Sequence, residues 1–95
     1  MPNPNHGQFH WNELMTWNLD KAKEFYAETL GWTFQAFPMA DDGEYTVCMM
    51  GEDPAGGILE MKPGAGFDGT QDHWFAYITV DDIDARLSKV KAAGG

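Results

Sequence analysis

The chain has 95 residues, 43% of them hydrophobic, 22% charged and 14% aromatic. That is enough for one domain, and a chain this short buries only roughly 60–65% of the surface its unfolded form exposes. Fifteen acidic residues against six basic ones leave a net charge of −9, which repels phosphate backbones and anionic lipid, so no nucleic acid and no membrane surface is expected as a partner. Thirteen aromatic side chains are too many for a chain that never packs a core. Cys48 is the single cysteine, which rules out an internal disulfide or a thiolate metal cluster. No apolar run approaches the ~18 residues of a membrane span. The start, Met1 to Gly7, has neither the charged nor the apolar region of a signal peptide. A cytoplasmic protein is the expectation.

In chain order, the polar, proline-bearing first seven residues read as a loose arm. Gln8 to Thr16 reads as a strand, with Trp11, Glu13 and Met15 on one face and Asn12, Leu14 and Thr16 on the other. Asn18 is a suitable N-cap for a helix whose buried stripe is Leu19, Ala22, Phe25, Tyr26 and Leu30. Gly31 sits where such a helix ends in a left-handed residue. Three strands are predicted next: Trp32 to Phe37, Tyr45 to Met50, and Gly57 to Met61. Asp41-Asp42-Gly43 is the turn between the first two, and Gly51 to Pro54 connects the second and third. Pro63 to Thr70, with three glycines, reads as a flexible connection. His73 to Val80 is a further strand. Asp81 and Asp82 then offer caps to a second helix with Ile83, Leu87 and Val90 on its buried stripe, stopped by Gly94-Gly95.

A shift of 64 positions places Leu14 on Ile78, Asn18 on Asp82, Leu19 on Ile83, Tyr26 on Val90 and Gly31 on Gly95. Strand, cap, amphipathic helix and glycine stop thus occur twice in the same order. The first copy continues through three more strands, and the second has none of them. The fold class expected is α+β: a βαβββ module over residues 8–61 followed by a partial βα module over 73–95, within one domain spanning 1–95. Its sheet is expected to be mixed or antiparallel.

The run from Trp11 to Trp32, above all Phe25-Tyr26 followed by Leu30-Gly31-Trp32, resembles the opening module of the vicinal oxygen chelate superfamily. This group includes glyoxalase I, bleomycin-resistance proteins and extradiol dioxygenases. His73 to Asp84 resembles the start of that family's second module. The resemblance implies paired βαβββ modules whose curved sheet, with the helices on its convex face, encloses a cavity where the family's enzymes hold a divalent metal that chelates adjacent oxygens of a small substrate. Carried over position by position, the first-strand ligand falls on Trp11 and the second-module ligand on Phe75, and neither side chain can coordinate such an ion. The third position falls on Glu60 or Met61, where a slip of one residue changes the face. The fourth would lie on a late strand that this chain lacks. The usual metal site is therefore not expected, with Glu60 and His73 the weak candidates for any divalent metal that does bind.

Glu13 shares its face with Trp11 and Met15, and a carboxylate desolvated beside an indole is a candidate general base; the plainer reading is a polar lining residue. His73 has the parity of Phe75, Tyr77 and Thr79 and could meet a ligand at the cavity mouth, or it could simply bond a neighbouring loop. Trp11, Glu13, Met15, His73, Phe75 and Tyr77 together form the expected lining of a small-molecule cavity. His6 and His10 are read as incidental, Cys48 as an inert apolar residue, and Trp17, Trp32 and Trp74 as packing at strand and helix ends or at a chain interface.

Three functions are compatible with this pattern. The first is a small-molecule-binding protein of the superfamily without most of the usual metal ligands. The second is a metal-dependent lyase or dioxygenase of the glyoxalase type, using a displaced site of Glu13, Glu60 and His73. The third is a truncated chain with no independent activity. A homodimer or higher oligomer is expected, because a bare curved sheet leaves apolar surface wet.

Overall fold

The computed structural model describes residues 5–40 and 43–95. The Asp41-Asp42 part of the expected turn and the first four residues of the arm lie outside them. The elements are β1 (Phe9–Thr16), α1 (Leu19–Leu30), β2 (Thr33–Pro38), β3 (Glu44–Met50), β4 (Asp53–Glu60), β5 (His73–Ile78) and α2 (Ile83–Ala92). The five strands form one mixed sheet in the order β2-β3-β4-β1-β5. β2, β3 and β4 pair antiparallel as a meander, while β1 pairs parallel with β4. Parallel neighbours need a crossover, and α1 with the meander supplies it. The chain divides into two compact units, residues 1–10 with 76–95 and residues 11–75.

In the larger unit, α1 forms where the spacing predicts it. The Asn18 side chain accepts from the Lys21 N–H, and Gly31 ends the helix at φ 75°, a left-handed conformation that glycine adopts without a Cβ penalty. Leu14 of β1, Cys48 of β3 and Ile58 of β4 make the buried core, and Leu19, Ala22, Tyr26, Trp32 and Phe34 pack around it. The core therefore lies on the α1 side of the sheet. Two members of the predicted helix stripe do not reach it: Phe25 and Leu30 are exposed, because only the face holding Leu19, Ala22 and Tyr26 rests on a sheet of this width.

β4 begins earlier than expected, at Asp53, so Gly51 and Glu52 alone make the turn, with Gly51 at φ 64°. Pro54 fits at this end of the strand because the β1 pairing starts only at Gly57. A β-bulge between Cys48 and Met49 absorbs the change of register. The Pro63–Thr70 connection is tied by local turns: the Gly64 N–H donates to Asp68 Oδ1 at 3.2 Å and the Thr70 N–H to the Phe67 carbonyl at 2.9 Å.

In the smaller unit the arm is not loose over its described residues. The Gly7 N–H donates to the Thr79 carbonyl at 2.8 Å, and the Thr79 N–H donates to the Gln8 carbonyl at 2.9 Å. His6 is not incidental either, since its Nδ1 accepts the Asp81 N–H at 3.0 Å. Asp81 also takes a bidentate hydrogen bond from Arg86, both contacts at 2.9 Å, which holds its carboxyl well below the usual carboxylate range. Asp82 caps α2 through the Ala85 N–H. The left-handed residue past α2 is Gly94, at φ 94°, one position earlier than the 64-residue shift places it. The predicted α2 stripe is not buried: Ile83, Leu87 and Val90 are 60%, 48% and 50% exposed. Amphipathic spacing marks a face suited to burial without supplying its cover.

Cys48 has no exposed surface, and desolvation pushes its thiol from 9.0 up to about 11. The folded state therefore keeps a proton that the unfolded state loses. Stability from this group is fully present below pH 9 and falls as pH rises from 9 toward 11. Guanidinium midpoints should drop across that interval in the wild type, and less steeply in Cys48→Ala. A thiol reagent at pH 8 should label Cys48 only after unfolding.

Candidate functional site

The pleat puts Leu14 and Thr16 toward α1, so Trp11, Glu13 and Met15 face the other way, all three half-buried. The register places Glu13 beside Gly57 and Met15 beside Leu59. Gly57 in turn lies beside Val47, whose parity Tyr45 shares. On β5, Trp74 turns to the α1 side, where its Nε1–H donates to the Tyr26 hydroxyl at 3.1 Å and its ring meets Tyr26 and Trp32 edge-on. His73 and Phe75 therefore take the opposite parity, with ring centroids 6.5 Å apart. Phe75 and Tyr77 are exposed.

The centre of this face is built by a residue the sequence reading did not single out. Tyr45 on β3 lies across Gly57, where an added Cβ would overlap its phenol. There the Trp11 Nε1–H donates to the Tyr45 hydroxyl at 2.8 Å. The indole at the position that the sequence resemblance assigns to the first-strand ligand is thus held by a phenol. Two glycines inside a strand are a signal of close approach, and Gly56-Gly57 is where it could have been read. Gly56 serves the opposite face, because a Cβ there would stand 2.9 Å from the Asn12 carbonyl oxygen.

Glu60 belongs to the α1 side. Its register partner is Thr16, its Oε2 accepts the Leu19 N–H at 3.1 Å, and its Oε1 lies 3.7 Å from Lys62 Nζ. A carboxylate at the first turn of a helix is favoured by the exposed N–H groups there. Glu13 and Glu60 therefore lie on opposite faces of the sheet and do not converge. Met61, the other possible third position, is buried and donates its N–H to the Thr16 carbonyl at 2.7 Å. The Nδ1 of His73 sits 2.8 Å from the Gln71 carbonyl, a contact within its own loop. Among the described residues, no group of three or more His, Cys, Asp and Glu side chains could hold a metal ion. The donor set does not fit the family's divalent metal.

Asp72 was also missed by the sequence reading. It receives Thr16 Oγ1–H at 2.5 Å and the Trp17 N–H at 3.0 Å, while Trp17 Nε1–H donates to the Thr70 carbonyl at 2.6 Å. These bonds close one wall of a hollow of about 400 Å³ on the α1 side, lined also by Tyr26, His73 and Trp74. A larger hollow of about 710 Å³ opens between Met39, Leu59, Glu60, Lys62 and Phe67.

Residues 8–95 match the family described as Glyoxalase/Bleomycin resistance protein/Dioxygenase superfamily. A protein provisionally named glyoxylase CFP32, from Mycobacterium bovis, is 37% identical over 89 residues, covering 94% of this chain and 33% of that protein. Its counterpart from Mycobacterium tuberculosis has the same identity and coverage. A glyoxylase-like domain-containing protein of Didymella fabae is 30% identical over 99 residues, covering 95% of this chain and 70% of that protein. The chain thus spans about a third of the length of the mycobacterial relatives.

The Gly57 packing yields a direct check. Gly57→Ala should drive the Tyr45 phenol aside and break its bond with Trp11, lowering stability by about 1–3 kcal/mol. Chemical denaturation should show the loss, and near-ultraviolet circular dichroism should report the altered Trp11 and Tyr45 environments.

Proposed function

Because the chain belongs to the glyoxalase/bleomycin resistance protein/dioxygenase superfamily, we propose that it binds a small organic molecule on the sheet face opposite α1, without the family's four-ligand metal centre. The observation that carries this reading is the hydrogen bond from Trp11 to Tyr45 over Gly57. It puts an aromatic, hydrogen-bonded surface where a metal-dependent member would place a ligand, and an indole has no lone pair to offer an ion. Trp11, Met15 and Phe75 supply apolar and polarizable area for a planar molecule. Glu13 supplies a carboxylate on the same face, suited to accept a hydrogen bond from a ligand N–H or O–H.

The relatives' names attach glyoxylase to those proteins, and a lyase reading of this chain would use Glu13, Glu60 and His73 as a displaced metal site. The position of Glu60 beside the Leu19 N–H favours the binding reading over that one. Isothermal titration against a panel of neutral and cationic aromatic compounds tests it. Binding with micromolar affinity that survives chelator treatment and weakens several-fold in Glu13→Gln is the expected outcome. Absence of any binder, or binding abolished by the chelator, would overturn it.

Association with a second copy of the chain is part of the same reading. Ile78, Ile83, Leu87 and Val90 of the smaller unit are exposed, and apolar side chains in that number favour an association surface. Native mass spectrometry at micromolar concentration should give a dimer or larger species; a monomer throughout would count against it.

A further inference from the structure

We propose that the smaller hollow, on the α1 side of the sheet, is a cation site for a small solute carrying a quaternary ammonium group. It lies on the face opposite the one discussed above, so it is a second site and does not rest on that reading. Its volume is about 400 Å³, and Phe25, Tyr26 and Trp74 border it together with Asp72 and Lys21.

The ring geometry favours a rounded cation over a flat one. Phe25 stands at 87° to Tyr26 with centroids 4.9 Å apart, and Trp74 at 77° with centroids 5.8 Å apart. Rings set crosswise meet a tetrahedral head on more than one side, whereas a flat ligand can stack on only one of them. Aromatic faces attract cations through their quadrupole, and the attraction grows as water is excluded. Phe25 and Trp74 are exposed rather than packed in the core, while Trp32 stacks on Tyr26 at 5.1 Å and steadies it.

The hydrogen-bonding groups beside these rings are already engaged, which narrows the cation further. Asp72 Oδ2 accepts from the Thr16 hydroxyl and Oδ1 from the Trp17 N–H, and the Trp74 Nε1–H is given to the Tyr26 hydroxyl. The bonds to Asp72 fix a negative charge at the wall of the hollow. A methylated ammonium has no N–H to satisfy, so it needs only that charge and the ring surface. A primary ammonium must shed water from N–H groups that meet acceptors already in use. The net charge of −9 favours cations in general. Lys21 opposes them from the rim, but it is exposed and its long stem keeps the charged end in water.

Matched probes test the assignment at about 0.15 M salt, where long-range attraction is screened. Choline and 3,3-dimethyl-1-butanol share a shape and differ by nitrogen for carbon, hence by one positive charge. In calorimetry or Trp fluorescence, wild-type protein should bind choline about 10-fold more tightly than the alcohol, and several-fold more tightly than ethanolamine. Trp74→Leu should bring choline and the alcohol to within about 2-fold of each other. Phe25→Leu, at an exposed position, should lower the preference part of the way. Lys21→Ala should strengthen choline binding by removing the opposing charge. Thermal unfolding establishes that each variant folds.

Wild-type protein that binds choline no better than the alcohol would overturn the proposal. So would a preference undiminished in folded Trp74→Leu or, if that variant does not fold, in Phe25→Leu. Ethanolamine bound as tightly as choline would overturn the quaternary class. Choline affinity lost in Glu13→Gln but kept in Trp74→Leu would put the cation on the opposite face and overturn this site. Failure here leaves the reading of that opposite face standing, because the residues named for the two sites are different.

Discussion

The architecture depends on how closely three strands approach at Gly56-Gly57. Side chains on consecutive strand residues point to opposite faces, so two adjacent glycines thin β4 on both sides at once. On the α1 side the missing Cβ admits the Asn12 carbonyl, which a Cβ would meet at 2.9 Å. On the other side it admits the Tyr45 ring. The parallel pairing that begins at Glu13 and Gly57 starts where this approach is made. From that pairing follow the position of Leu14 against Ile58 and Cys48, and hence the seat of α1. The aromatic face opposite is the other product of the same two residues. Glycine interior to a strand costs about 0.5–1 kcal/mol in chain entropy, and here the close contacts offset it.

The two faces of the larger unit carry different kinds of interaction. The α1 side is a small apolar core bordered by ring contacts and charged caps, with Glu60 at the start of the helix and Asp72 at the end of β1. The far side has few fully buried groups and a run of half-buried aromatic and sulfur side chains. The buried core is concentrated on the first, and the second is the face proposed to bind a planar ligand. This division explains why both carboxylates that hold backbone or hydroxyl groups, Glu60 and Asp72, sit away from Glu13.

Much of this was legible in the sequence. The helical spacing, Asn18 and Gly31 located α1 because capping chemistry is local, and each cap was found doing what its residue type predicts. The alternation in β1 sorted Leu14 and Thr16 from Trp11, Glu13 and Met15 for the same reason. The face of Glu60 was not legible, since it turned on a register that only the pairing of Thr16 with Glu60 decides. The Tyr45–Trp11 bond was hidden because it joins residues 34 positions apart, across a glycine whose meaning depends on its neighbours in space. The described part of the arm was misread through the arm's composition: a polar run with prolines and a glycine suggests looseness, but the backbone bonds of Gly7 and Gln8 to Thr79 and the His6 contact to Asp81 are tertiary. The α2 stripe shows the converse, a local pattern fully present with its apolar side chains exposed.

Asp72 carries a consequence for how this segment can change over generations. Thr16 and Trp17, at the point where β1 leaves the sheet, are held by one carboxylate at the foot of β5. The path between Met61 and Asp72 is thus anchored at its two ends, by the Met61 N–H on the Thr16 carbonyl and by Asp72 on the Thr16 hydroxyl. What lies between these anchors is held by its own turns. Residues can be gained or lost there with little effect on the strands, because closing a somewhat longer loop adds only a fraction of a kcal/mol, about 0.6 for each doubling. Lys62, Ala65 and Phe67, which border the larger hollow, lie in this interval. The shape of that hollow can therefore drift between lineages while the sheet and its aromatic face stay as they are.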